Sequence, residues 1–190
     1  LLKILKKMGV KKFSREKGAE IFIGHDEAHL KNVDAVIYSS AVKSENPELK
    51  GALDQGLKIY QRAELLAELM QNHFAITIAG AHGKTTTTSM VAHLLKECGV
   101  NPTCAIGGML TATDANAFLG GGKYFVAEVD ESDGSFLNFS PKISVITNID
   151  LEHLDHYGGW ENIELIYKQF ILKTQNNGHI LFCGDDVRLN

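Results

Sequence analysis

No apolar run in this chain approaches the ~18 residues of a membrane-spanning helix. Basic charge is scarce too. The 19 Lys and Arg stand against 23 Asp and Glu, a net charge of −4, so the footprint of a nucleic-acid binder is missing. Cysteine is thin: Cys98, Cys104 and Cys183 are odd in number and have no C-x-x-C spacing. That pattern reads as free structural thiols in a reducing cytoplasm, with Cys98 expected on the apolar face of a helix. The opening LLKILKKMGVKK interrupts its leucines with lysines, so it lacks the apolar core of a secretory signal. It reads as a helix with Leu1, Leu2, Ile4, Leu5 and Met8 facing inward. Internal repeats and low-complexity tracts are also absent.

What remains is ordinary for a globular protein. The 190 residues are 44% apolar and 22% charged, enough for one domain or one and a fraction with a real core.

The most informative stretch is AITIAGAHGKTTTTSMVAHLLKEC, residues 75–98. An apolar run at 75–79 meets a glycine turn, then Lys84, four threonines and an amphipathic pattern. This is the strand–loop–helix order of a phosphate-binding loop. Phosphate needs several N–H donors converging on one point, and glycine lets the backbone approach. The loop residues are Gly80, Ala81, His82, Gly83, Lys84, Thr85 and Thr86. Lys84 is placed to reach the terminal phosphates, and the Thr85 hydroxyl to hold Mg²⁺. The common loop has four residues between its first glycine and GK[ST]. Here only Ala81 and His82 lie between Gly80 and Gly83, which disfavours a conventional kinase or GTPase. The guanine-reading N-K-x-D is missing as well, since Ile149 and Asp150 follow Asn148.

Upstream, residues 20–24 and 33–38 read as strands. SENPELKGALDQG reads as a helix capped by Ser44, 57–61 as a strand and 63–71 as a helix. Downstream, 124–131, 143–149 and 179–183 read as strands, and 160–174 as a helix with Ile163, Ile166, Phe170 and Ile171 inward. Residues 111–123 read as a connection. The alternation predicts an α/β chain with a mostly parallel sheet. A second unit begins near residues 72–74, and its first strand carries the phosphate loop.

Parallel sheets place their sites at the carboxyl ends of the strands. YFVAEVDESD puts Glu128, Asp130, Glu131 and Asp133 there, with Glu128 and Asp130 on one face by alternation. A buried acid needs a cation, and Mg²⁺ suits Glu128. ISVITNIDLEHLDHYGG adds Asn148, Asp150, Glu152, His153, Asp155 and His156, a set suited to a second metal or a phosphate site. His153 is the stronger candidate of the two histidines. His82 either packs or touches phosphate.

GAHGKTTTTSM resembles the shortened ATP loop of the Mur ligases, G-x-x-G-K-T-T. AEVDESDGSFLNFSPKISVITNIDLEHLDHY and SSAVKSENPELKGALDQGLKIYQRAELLAELM resemble the branch that adds L-alanine to UDP-N-acetylmuramate. The likeness runs from about Gly18 to Val187. Folylpolyglutamate synthases share the loop type but not these segments, and the murein-peptide recycling branch is the nearest alternative. The resemblance implies a cytoplasmic, ATP-dependent ligase of peptidoglycan precursor synthesis. ATP phosphorylates the sugar carboxylate, and the amine of L-alanine displaces phosphate from the acyl phosphate. It implies catalytic roles for Lys84, Glu128 and His153, with Thr85, Glu128 and His153 as Mg²⁺ ligands. His25 and Ser39 would contact the UDP-sugar. The family's early glycine turn has no counterpart before residue 20, and the adenine- and amino-acid-contacting parts would lie beyond residue 190. The resemblance thus implies an incomplete Rossmann-like unit over 1–72 and part of a phosphate-loop ATP-binding domain over 73–190. The chain is expected to be a fragment without full activity, and a nucleotide-binding module without turnover is the alternative.

Overall fold

The computed structural model describes residues 19–110, 115–152 and 157–189. They form two compact units, divided between Leu65 and Leu66.

The first unit is built on a βαβ crossover. Strand β1 (Ala35–Tyr38) leads through helix α1 (Pro47–Asp54) to strand β2 (Lys58–Gln61), which pairs with β1 in parallel. Pro47 opens α1 without losing a bond, because the first helical N–H groups have no partner in the helix. Asn46, not Ser44, is the cap: its side-chain oxygen accepts from the Glu48 and Leu49 amides. Residues 20–24 form no strand. They find no ladder partner among the described residues, and Asp26 ends the run by capping a short 3-10 turn, Glu27–Leu30. Helix α2 (Arg62–Met70) follows β2 and carries the division between the units.

The second unit is a six-stranded sheet. Its strands are β3 (Phe74–Ala79), β4 (Thr103–Leu110), β5 (Ala115–Phe118), β6 (Tyr124–Glu128), β7 (Ile143–Ile146) and β8 (His179–Phe182). The spatial order is β5-β4-β6-β3-β7-β8, all parallel except β5 against β4. Residues 115–118, expected in a connection, instead form this antiparallel edge. The glycines at 107 and 108 break the apolar pattern that would have marked β4, and an edge pairing depends on contacts distant in sequence.

Helix α3 (Lys84–Glu97) covers one face. Ala92 packs there with Ile76 and Ile78 of β3, Cys104 and Ile106 of β4 and Val126 of β6. The alternate residues Ala75, Thr77 and Ala79 face the other way and are buried as well. β3 is thus covered on both faces, which is why it reads as a continuous apolar run. Helix α4 (Trp160–Leu172) buries Ile163, Tyr167 and Phe170. Phe170 stacks on Phe136 at 4.6 Å, and Tyr167 meets Phe136 edge-on. The buried stripe thus includes Tyr167, while Ile166 and Ile171 are half-buried. Cys98 caps α3 at its exposed end rather than lying on the apolar face. The expected opening helix lies outside the described residues. No helix among the described residues is long and apolar enough to cross a membrane.

Candidate phosphate-loop site

β3 is central, with β6 and β7 on its two sides. The chain segments leaving all three therefore emerge together at the carboxyl end of the sheet. The β3 segment is the glycine turn. Gly80 takes φ 131°, and a Cβ there would collide with Thr147 Oγ1 and come within 2.9 Å of the Asn148 carbonyl. Gly83 takes φ 79° at the N-cap of α3, a left-handed conformation that glycine adopts at no steric cost.

The β7 segment stitches this turn in place. The Asn148 side chain makes a two-point bond to His82: the His82 amide donates to Oδ1 at 2.8 Å, and Nδ2 donates to the His82 carbonyl at 2.9 Å. Thr147 Oγ1 donates to the same carbonyl at 2.6 Å, and the Ala81 amide donates to the Asn148 carbonyl at 3.2 Å. The His82 ring is exposed, with Nε2 3.4 Å from Asp150 and 3.6 Å from Glu152. Arg188 adds a guanidinium 3.2 Å from Asp150. The hydrogen bonds from the Leu151 amide and His82 hold the Asp150 carboxyl below its usual range.

The β6 segment brings acid. Glu128, at the last position of β6, faces the first turn of α3. Thr85 Oγ1 lies 2.9 and 3.1 Å from its two oxygens. The Gly107 amide donates to Glu128 Oε2 at 2.8 Å. A Cβ on Gly107 would come within 2.6 to 2.8 Å of that carboxylate, so glycine is what admits it. β6 ends at Glu128, so the alternation expected to pair Asp130 with it does not continue. Asp130 is exposed and accepts from the Ser132 amide, and Asp133 accepts from the Ser135 amide. Both cap turns.

Glu131 turns inward instead. It is 4% exposed, and its Oε1 lies 2.9 Å from Lys84 Nζ. Burial pushes its carboxyl pKa up, against the opposing pull of Lys84. Tyr157 donates its hydroxyl to the Glu131 carbonyl. Burial, then the neighbouring acids, push the Tyr157 phenol up to about 12.

The structure thus gathers residues 80–86 and Glu128 at one sheet end. His153 and His156 lie outside the described residues. In the first unit, His25 and Ser39 line one cleft with His29, Tyr38 and Glu48. Glu48 bridges the two imidazoles, 2.8 Å from His25 Nδ1 and 2.7 Å from His29 Nδ1. Sequence reasoning left Thr147, Gly107 and the His29–Glu48 pair unmarked. The only signal at Gly107 was a glycine in an otherwise apolar run.

A parallel sheet whose central strand empties into a glycine–lysine–threonine turn, with a carboxylate from the adjacent strand on the threonine, defines an α/β domain of the phosphate-loop class. Within that class the chain belongs to the Mur ligase family. Residues 78–190 match the Mur ligase middle domain, and residues 6–74 match the Mur ligase family catalytic domain. The chain is 51% identical over 177 residues to the UDP-N-acetylmuramate–L-alanine ligase of Trichlorobacter lovleyi, covering 93% of this chain and 39% of that one. It superposes on the UDP-N-acetylmuramate–alanine ligase of Thermotoga maritima with a TM-score of 0.83 at 30% identity, covering 97% of this chain and 43% of that one. It also superposes on the Neisseria meningitides ligase for UDP-N-acetylmuramate and L-alanyl-γ-D-glutamyl-meso-diaminopimelate. That TM-score is 0.86 at 24% identity, covering 98% of this chain and 63% of that one, a likeness of fold. The chain spans about two-fifths of the length of the curated relatives it matches.

Proposed function

We propose that this chain is the nucleotide-phosphate-binding part of an ATP-dependent ligase. The ligase joins L-alanine to the carboxylate of UDP-N-acetylmuramate in cytoplasmic peptidoglycan precursor synthesis. The observation that carries the reading is the convergence of Thr85 and Glu128 beside the turn at 80–84. Identity near 50% to ligases of that name supports the choice of substrates. The likeness to the N. meningitides enzyme, which concerns a peptide substrate, is weaker in sequence at 24%.

The roles follow from chemistry. The Ala81 and His82 amides are taken by Asn148, so the amides of residues 83–86, at the N-terminus of α3, are the ones that would meet the triphosphate. Lys84 carries positive charge to the phosphoryl group as it passes to the sugar carboxylate. Alanine's amine then attacks the acyl phosphate, and phosphate leaves as the amide forms. Thr85 Oγ1 and the Glu128 carboxylate are hard oxygen donors side by side, which fits Mg²⁺. Among the described residues no cluster of three or more His, Cys, Asp or Glu forms a metal cage. Mg²⁺ keeps several waters and takes phosphate oxygens as ligands, so two protein oxygens can be enough to hold it. When bound, the ion neutralises charge between two anions that otherwise repel. His153 is assigned to a second Mg²⁺ with Glu128. His25 and Ser39, in the cleft of the first unit, are assigned to the UDP-sugar, with residues 1–72 as part of its binding domain and 73–190 as the first part of the ATP domain.

The test is a chimera in which these residues replace the matching segment of the T. lovleyi ligase. Phosphate release from ATP should require both UDP-N-acetylmuramate and L-alanine, and Lys84→Ala should abolish it. Release that depends instead on L-alanyl-γ-D-glutamyl-meso-diaminopimelate would move the chain to the recycling branch.

A further inference from the structure

The three donors of Lys84 are all engaged. Its ammonium lies 2.6 Å from the Gly80 carbonyl, 3.3 Å from the Ala81 carbonyl and 2.9 Å from Glu131 Oε1. An ammonium has three N–H groups and no more. A phosphate oxygen that takes Lys84 must therefore displace one of these acceptors. Two belong to the backbone of the loop itself. The third is a side chain, brought in by the turn after β6.

Glu131 is not an ordinary surface partner. Its side chain is 5% exposed and that of Lys84 is 16% exposed, so both charges are largely out of water. Its second oxygen is buried and has no hydrogen-bond partner among the described residues. One oxygen thus depends on Lys84 and the other on nothing described. Breaking a buried pair leaves an uncompensated charge, which costs far more than breaking an exposed one.

We propose that Glu131 competes with the polyphosphate for Lys84, and so sets how tightly the loop binds nucleotide. Glu131 is a positioning residue: it acts through Lys84 and need not touch the ligand. The inference rests on reading residues 80–86 as a phosphate loop. Its signature is a gain of function. A residue that merely supports the fold weakens binding when replaced. A competing carboxylate strengthens binding when its charge is removed, because the ammonium is then released without stranding a buried anion.

The test is calorimetric titration of the chain with ATP and Mg²⁺, comparing wild type with Glu131→Gln, Glu131→Ala and Asp130→Asn. Far-UV circular dichroism checks that each variant is folded. Glu131→Gln keeps shape and size and should bind about tenfold tighter, a modest part of what buried charge pairs are measured to contribute. Glu131→Ala should shift affinity the same way, which guards against misfolding of either variant. Asp130→Asn removes one negative charge from the same turn without touching Lys84, and should change affinity by no more than about twofold. Wild-type binding with Glu131→Gln equal or weaker overturns the competition and leaves the phosphate loop intact. Equal gains in Glu131→Gln and Asp130→Asn also overturn it, in favour of diffuse charge. No binding by any folded variant overturns the phosphate-loop reading, and this inference with it.

Discussion

Thr85 Oγ1 donates toward Glu128 from the first turn of α3, 2.9 Å from one carboxylate oxygen and 3.1 Å from the other. The two residues are 43 positions apart, and only the parallel pairing of β3 with β6 brings them together. Replacing either should damage the Mg²⁺-dependent part of ATP binding more than ATP binding alone. Thr85→Ala and Glu128→Gln are each expected to weaken MgATP binding by about tenfold or more. Titrations with and without Mg²⁺ check this: a variant equally weakened in both argues for a loop defect instead.

Asn148 holds the turn through paired bonds to His82. Asn148→Ala leaves the His82 amide without its acceptor, while the His82 carbonyl keeps the Thr147 hydroxyl. It should cost about 0.5–1.5 kcal/mol of stability, read by urea unfolding. It should also weaken ATP binding, since the loop is then no longer held in shape. Asn148→Asp keeps the acceptor for the His82 amide but loses the donor, so an intermediate stability is expected.

The pH dependence of Glu131 has a definite sign. Its carboxyl pKa is raised above the ordinary 4.5 by burial. The native state therefore holds the proton more tightly than the unfolded chain. That contribution is complete below the unfolded value and is lost as pH climbs from about 4.5 through the raised native value. Glu131→Gln removes the titration. Its stability relative to wild type should rise with pH across that window, as measured by denaturant midpoints from pH 4 upward. A constant difference would mean the carboxyl titrates alike in both states.

The thiols divide by environment. Cys98 and Cys183 are exposed, whereas Cys104 is buried in the sheet and desolvation pushes its thiol up to about 12. The thiolate is the nucleophile. A thiol reagent at pH 8 should therefore titrate two cysteines quickly in the folded chain and the third only on unfolding.

The core behind the site should tolerate little. Phe136 and Phe170 are both fully buried and stacked. Phe170→Ala should cost about 3–5 kcal/mol, read by chemical denaturation.

The parts of the fold legible in the sequence are those where local pattern and tertiary context agree. β3, its glycine turn and α3 follow from an apolar run, a turn that needs glycine and a helical period. β6, β7, β8 and α4 follow from similar runs. β4 and β5 were not legible, because Gly107 and Gly108 interrupt the run and the antiparallel pairing is decided by a distant edge. Residues 20–24 read as a strand by composition, but a strand needs a partner and they find none among the described residues. At the site, Lys84, Thr85 and Glu128 were readable from residue type and spacing. Glu131 was one acid among four until the turn after β6 folded it onto Lys84. Asn148 was visible only as a polar residue after a strand, since its hold on the loop depends on β7 lying beside β3.

The most direct measurement is calorimetric titration of this chain with ATP and Mg²⁺, beside Lys84→Ala. The expected result is saturable binding at one site that Lys84→Ala abolishes while the fold, followed by circular dichroism, is retained. A folded wild-type chain that binds no ATP, or binding that survives Lys84→Ala unchanged, would contradict the assignment of residues 80–86 as the phosphate loop.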